Sequence, residues 1–257
     1  MPYQRFSIQP PRVPHKEELS VNIRTIGLIG SGHIGTVVAR LSIAAGYQVV
    51  LSNSRGAASL TELVRNLGPM ARATTAPEAA RAGDIVVVAV PLKAYDNLPV
   101  DALDGKIVID ANNYYPERDG IVETIRDGLQ STSELLQQRL AGASVVKAFN
   151  NIFFRALEAL AEPAHKEERS SLPIFGDDPD AKAAVIDYLD TIGYDALDGG
   201  DLAESWRTEN GKPAYVYPYS VNRDVTQFQH VDRKTLTRLL REAVRGQGEP
   251  RTASSPR

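Results

Sequence analysis

The chain has no cysteine, so disulfides, thiolate metal sites and a cysteine nucleophile are excluded. Its four histidines, His15, His33, His165 and His230, are scattered without metal-ligand spacing, and no metal is expected. No apolar run approaches the roughly 20 residues that a membrane-spanning helix needs. Charge is close to balanced, with 29 Lys and Arg against 32 Asp and Glu. The resulting net charge of -3 gives no reason to expect nucleic acid or an anionic membrane as partner. The first 20 residues are rich in proline and polar side chains and lack the apolar core of a signal peptide. A cytoplasmic protein is therefore expected. Nor do Ser, His and Asp gather into a nucleophilic triad.

What the chain does have is a short apolar run opening into G-x-G-x-x-G, residues Thr25 to Gly35. The run reads as a buried strand, and Ile34, Val37, Val38, Leu41 and Ala45 after it recur at helical spacing. Strand, glycine turn and helix in that order give the motif its meaning as a dinucleotide site. Gly30 allows the tight turn, Gly32 lets backbone approach a pyrophosphate, and Gly35 lets helix and strand pack closely. Ser31, His33 and Ile34 complete a loop whose helix N-terminus offers N–H groups and partial positive charge to phosphates.

A further absence selects the cofactor. The second strand reads as residues 47–51, and an NAD-type site would carry an Asp or Glu at its end to hold the ribose 2′-OH. Ser52, Asn53, Ser54 and Arg55 stand there instead. An acid would repel a 2′-phosphate, whereas Arg55 pairs with one and the amide and hydroxyls hydrogen-bond it. NADP(H) is the expected cofactor.

At 257 residues the chain is long enough for one large or two modest domains. Residues 60–67 read as a short amphipathic helix, and Thr75-Ala76-Pro77-Glu78 has capping-box spacing ahead of a helix to about residue 82. Residues 84–91, 106–110 and 144–149 are rich in apolar β-branched residues, as central parallel strands are. Beyond them the pattern gives a helix over 153–161, a strand over 172–175, a helix over 179–192 and a short strand over 194–197. An amphipathic helix follows over 232–244. The expected architecture is α/β, a Rossmann doubly wound parallel sheet with a small C-terminal α/β region. Its parts are an N-terminal extension (1–22), an NADP-binding domain (23–150), an α/β and helical region (151–245) and a disordered tail (246–257).

Ligands of an open α/β sheet bind beyond the carboxyl ends of its strands. Val90 and Pro91 close one strand, where backbone could pass close to the nicotinamide-side ribose; Pro91 could equally be a simple strand terminator. Asn112-Asn113 and Asn150-Asn151 follow two others. One amide of each pair is expected to face the crevice and orient a carboxamide or carbonyl, unless all serve as loop caps. Lys147, inside an apolar strand, must find a partner or reach the crevice, which makes it a candidate for substrate contact. Lys147 and Asn112 are the candidate catalytic residues. Trp206 and the tyrosines 215, 217 and 219 either wall an aromatic substrate or form a dimer interface.

With these residues in view, the chain resembles the reductases related to coenzyme F420-dependent NADP oxidoreductase and, more distantly, the oxidoreductase domain of the STEAP metalloreductases. The resemblance covers about residues 24–209. It rests on I-G-L-I-G-S-G-H-I-G, V-V-L-S-N-S-R, D-I-V-V-V-A-V-P, K-I-V-I-D-A-N-N, V-V-K-A-F-N-N and F-G-D-D-P-D-A-K in that order. It implies hydride transfer between NADPH and a deazaflavin (coenzyme F420) or flavin ring stacked on the nicotinamide. It implies 2′-phosphate contacts from Asn53, Ser54 and Arg55, and ring placement by Pro91, Asn112 and the 147–150 segment. The partners expected are a small-molecule hydride acceptor and a second copy of the chain. Reduction of a small carbonyl or imine, with Lys147 or a tyrosine as proton donor, and a non-catalytic NADP(H) sensor are the alternatives.

Overall fold

The computed structural model describes residues 23–245; the extension over 1–22 and the tail over 246–257 lie outside the described residues. Six strands form a parallel sheet: Thr25–Ile29 (β1), Gln48–Ser52 (β2), Ala71–Ala73 (β3), Ile85–Val88 (β4), Ile107–Asp110 (β5) and Ser144–Lys147 (β6). Their order is β3-β2-β1-β4-β5-β6, the doubly wound arrangement whose switch point lies between β1 and β4. Val, Ile and Leu fill these strands because both faces are covered. Every residue of β4 is buried.

Ile85 and Val87 point into one layer, with Val37 and Val38 of helix α1 (His33–Ala44). Val86 and Val88 point into the other, with Ala80, Leu103 and Leu136. Those three lie on Ala76–Ala82 (α3), Val100–Leu103 (α4) and Thr132–Arg139 (α7); the intervening helices are Thr61–Leu67 (α2), Pro116–Asp119 (α5) and Glu123–Arg126 (α6). Period-2 alternation along β4 thus feeds two cores. Thr75 caps α3 in the expected box, its side chain accepting from Glu78 N–H while Glu78 returns to Thr75.

The second region continues the same sheet. After Phe154–Ala159 (α8), strand Ser171–Gly176 (β7) pairs antiparallel with β6 through Val146↔Gly176 and Lys147↔Phe175, and Asp195–Asp198 (β8) pairs parallel with β7. The register overlaps at two residues, so most of β7 runs past the carboxyl end of β6. Helix Pro179–Thr191 (α9) joins β7 to β8, and its Val185, Tyr188 and Leu189 enter the layer that holds α1. Tyr188 also hydrogen-bonds Ser42 of α1 at 2.7 Å. A short hairpin, Ser220–Val221 (β9) and Asp224–Phe228 (β10), and helix Arg233–Glu242 (α10) complete the described chain.

Candidate functional site

The turn between β1 and α1 separates the roles of its three glycines. Gly30 has φ +108°, and a Cβ there would lie 2.2 Å from the Ala89 carbonyl oxygen. A Cβ on Gly35 would lie 2.0 Å from the carbonyl oxygen of Gly30. Both glycines are required by the chain itself. At Gly32 a Cβ would meet nothing within 4 Å, and its φ of -76° suits any residue. Space that the protein leaves open above this glycine fits close approach of an external ligand.

Gly32 is also the N-cap of α1, with no side chain capping it and no acid in the first turn. The first N–H groups of α1 are left for an anion, as a pyrophosphate requires. The residues present therefore fit a dinucleotide. Beside this turn the end of β2 is tied in by the Gly30 N–H, which donates to the Ser52 carbonyl at 3.1 Å. Asn53 Oδ1 then accepts from Arg55 N–H at 3.0 Å, and Asn53 Nδ2 donates to Ser59 Oγ at 2.9 Å. This Asx turn leaves Ser54 and Arg55 exposed. Arg55 has no ion-pair partner among the described residues. Ser59, exposed beside Asn53, was not singled out from the sequence; its position seven residues beyond the strand gave no signal.

Across the sheet, Lys147 and Asn112 do not face the crevice. Lys147 is completely buried, its Nζ donating to Asp110 Oδ2 (3.1 Å), the Asn112 carbonyl (2.6 Å) and Thr132 Oγ1 (3.1 Å). Ser133 Oγ donates to the same carboxylate at 2.6 Å. Asn112 Nδ2 donates to Asp110 Oδ1 (2.7 Å) and Tyr95 Oη (3.2 Å), while its Oδ1 accepts from Val90 N–H at 2.7 Å. Burial, and after it the charge of Asp110, pushes the Tyr95 phenol well above its ordinary range. The expectation that Lys147 or Asn112 contacts substrate is thus corrected: a buried ammonium needs a counter-charge and full hydrogen bonding, and the inward carboxylate of Asp110 supplies them. Asn112 acts one step removed, fixing the Val90–Pro91 backbone at the mouth of β4. Thr132 and Ser133 belong to this network. Their signal in the sequence was the unread capping box of Ser131 and Glu134 at the start of α7.

Asn113 and Asn150 do border a cleft. It holds about 150 Å³ beyond the carboxyl ends of β5 and β6, and Ile34 of the glycine turn lies on its rim. Asn113 Nδ2 donates to the Asn150 carbonyl at 2.7 Å, and Asn150 Nδ2 to Asn113 Oδ1 at 3.1 Å. The walls are aromatic: Phe149, Phe153, Phe154, Tyr115 and Tyr215. His33 stacks on Phe154 with ring centroids 4.3 Å apart, which joins the glycine turn to the start of α8. Tyr115 and Tyr215 meet hydroxyl to hydroxyl at 2.5 Å. Trp206 and Tyr219 are buried within the chain itself, so neither can form the interface that was one expectation for them.

A sequence model of the family described as "NADP oxidoreductase coenzyme F420-dependent" matches residues 25–114. Over residues 25–114 the chain is similar to that family. An F420-dependent NADP reductase of Methanocaldococcus jannaschii is 32% identical over 137 residues, which is 50% of this chain and 58% of the relative's own length. A hypothetical protein of Sinorhizobium meliloti matches in structure with a TM-score of 0.64 at 28% identity, over 75% of this chain and 93% of the other. A protein of Arthrobacter sp. FB24 assigned as an F420-dependent NADP reductase matches with a TM-score of 0.58 at 23% identity, over 70% of this chain and 85% of the other, a likeness of fold. The segment matched by the family model contains the glycine turn, the end of β2, Val90–Pro91 and Asn112. Asn150, Phe154 and Tyr215, on the far side of the cleft, lie beyond it.

Proposed function

We propose that this chain is an NADP(H)-dependent oxidoreductase that passes hydride between NADPH and a flat deazaflavin or flavin acceptor received in the aromatic cleft. The observation that carries this reading is adjacency. The open face of Gly32 and the cleft meet at Ile34, so a dinucleotide on the glycine turn would present its far end to the cleft. Bound NADPH supplies the hydride; the protein's own task is placement of two rings, which needs orientation more than a strong acid or base.

Each group has a stated part in this reading. The N–H groups of α1 hold the pyrophosphate, and Asn53, Ser54 and Arg55 the 2′-phosphate. Asn112, itself locked by Asp110 and Lys147, holds the Val90–Pro91 backbone against the nicotinamide side. Phe153 and Phe154, half-buried and tilted against each other, give an apolar surface for a ring. NADPH oxidation followed at 340 nm, with coenzyme F420, FMN, FAD and riboflavin offered separately, tests the proposal. Turnover with one of them supports it; tight NADPH binding without oxidation by any contradicts it.

A second reading is favoured by one observation, the hydroxyl pair of Tyr115 and Tyr215 in the cleft. Reduction of a small carbonyl or imine needs a proton as well as a hydride, and a phenol there could hold and donate it. Loss of carbonyl reduction in Tyr115→Phe, with NADPH binding kept, would favour this alternative. We further read the chain as a cytoplasmic homodimer, with the exposed Ile121 and Leu129 offering apolar surface. Light scattering of the purified protein at micromolar concentration checks the dimer.

A further inference from the structure

Four non-glycine residues among those described have positive φ: Phe149, Val216, Asn222 and Arg223. Asn222 and Arg223 form the two-residue turn between β9 and β10, where the twist of a hairpin demands that conformation. The other two, Phe149 and Val216, both line the cleft. Val216 is the stranger case. Its φ of 56° and ψ of -59°, with Tyr217 N–H donating to the Tyr215 carbonyl at 2.7 Å, make a γ-turn of the rare, strained hand. A β-branched residue is poorly suited to it. Such strain persists where the surroundings over-determine the backbone.

The surroundings here come from the end of β6. The Asn151 carbonyl accepts from Val216 N–H at 2.8 Å. Asn151 Nδ2 donates to the Ala214 carbonyl (3.0 Å) and to Tyr219 Oη (3.1 Å), and Tyr219 Oη donates onward to the Ser171 carbonyl at 2.8 Å. Asn151, Ala214 and Tyr219 are all completely buried. The turn is therefore clamped on both sides of Val216, and the clamp grows from the residue next to Asn150 on the cleft floor. Glycine at 216 would relax the backbone but remove the isopropyl group that faces the cleft.

We propose that the turn Tyr215–Val216–Tyr217 is the specificity-determining wall of the cleft, with Val216 setting the width open to the second substrate's ring edge and Asn151 as its positioning residue. This rests on the reading of the cleft as the acceptor site. Val216 selects flat rings with a narrow edge and rejects those broadened by one or two methyl groups. The strain belongs to that wall, not to the stability of the fold.

Calorimetric titration of NADP⁺-saturated protein with riboflavin and with roseoflavin, its broader 8-dimethylamino analogue, tests this. The unaltered protein is expected to prefer riboflavin by roughly tenfold or more, the scale at which a pocket discriminates small alkyl increments. Val216→Ala and Val216→Gly should bring the ratio to about threefold or less, with NADP⁺ affinity unchanged. The midpoint of thermal unfolding of Val216→Gly, measured without any ligand, should be equal or higher. An unaltered preference in both variants overturns the wall. So does a fall of several degrees in that midpoint, which would make Val216 a packing residue. Binding of NADP⁺ with neither flavin accepted by the unaltered protein is a different failure: it removes the acceptor reading from beneath the turn.

Discussion

In the proposed reading Arg55 carries the choice of cofactor on one guanidinium, exposed and without an ion-pair partner among the described residues. Reversing its charge should cost NADPH about 2 kcal/mol, the scale of a charged hydrogen bond, or roughly thirtyfold in affinity. Arg55→Glu should leave NADH binding unchanged or improved; equal loss for both dinucleotides in a fluorescence titration would remove Arg55 from the 2′-phosphate. Lys147 belongs to stability instead. Lys147→Met would leave the Asp110 carboxylate buried without its counter-charge, at a cost of about 3–5 kcal/mol. Adding Asp110→Asn should restore part of that in denaturant unfolding, because the stranded charge is gone. Arg55 stands out in the sequence because it sits at a fixed offset from a motif, and the structure leaves it exposed there. Lys147 was legible as an anomaly, a charge within an apolar strand. Its resolution depended on Asp110, 37 positions earlier, turning inward on the neighbouring strand, and no local pattern shows that.

At the scale of elements, apolar runs and caps announced β1, β2, β4, β5, β6, α3 and α9 to within a few residues, since a buried parallel strand leaves few other compositions possible. Four kinds of element escaped, among them α7, whose start is marked only by the capping box of Ser131 and Glu134. β3 is three residues long, α4, α5 and α6 four each, too short for periodicity. The hairpin β9–β10 turns on Asn222-Arg223, which lacks the glycine that marks such turns. The glycine turn itself gives a sharp test. Gly32→Val should abolish NADPH binding while leaving the unfolding midpoint nearly unchanged, because its Cβ would meet no protein atom. Gly35→Ala should unfold at markedly lower temperature, since its Cβ would collide with the Gly30 carbonyl. Matching behaviour of the two variants would sink the pyrophosphate assignment.

The cap of α9 adds a pH dependence. Asp178 Oδ2 accepts from Ser144 Oγ at 2.6 Å and Oδ1 from the N–H groups of Asp180 and Ala181. The Ser144 bond, opposed by desolvation and aided by those backbone bonds, holds its carboxyl below the usual range. A carboxyl depressed in the folded state stabilises above its unfolded pKa of about 3.9 and loses that contribution as pH falls through the folded value. Asp178→Ala should therefore cost about 1 kcal/mol at neutral pH. Thermal melts should show the gap to the unaltered protein closing from about pH 4 downward; a gap that widens in acid would contradict the assignment.

For the whole molecule, the doubly wound sheet was legible because alternating strands and helices leave few topologies open. The continuation through β7 and β8 was not. The antiparallel step from β6 to β7 depends on a two-residue overlap beyond Lys147, and Phe149 leaves β6 through a left-handed conformation that its sequence does not advertise. That continuation decides the site, because it brings the turn at Val216 over the carboxyl ends of β5 and β6. Ile34, Ala111 and Asn113 of the cleft therefore lie in the segment that the family model matches, and the rest of its lining lies in the chain beyond it. In the proposed reading the matched segment holds a 2′-phosphorylated nicotinamide dinucleotide, and everything else in the site depends on that. Isothermal titration of the purified protein with NADPH and with NADH tests it most directly. One NADPH per chain is expected, bound at least roughly tenfold more tightly than NADH. Equal affinities, a preference for NADH, or no binding of either would contradict it.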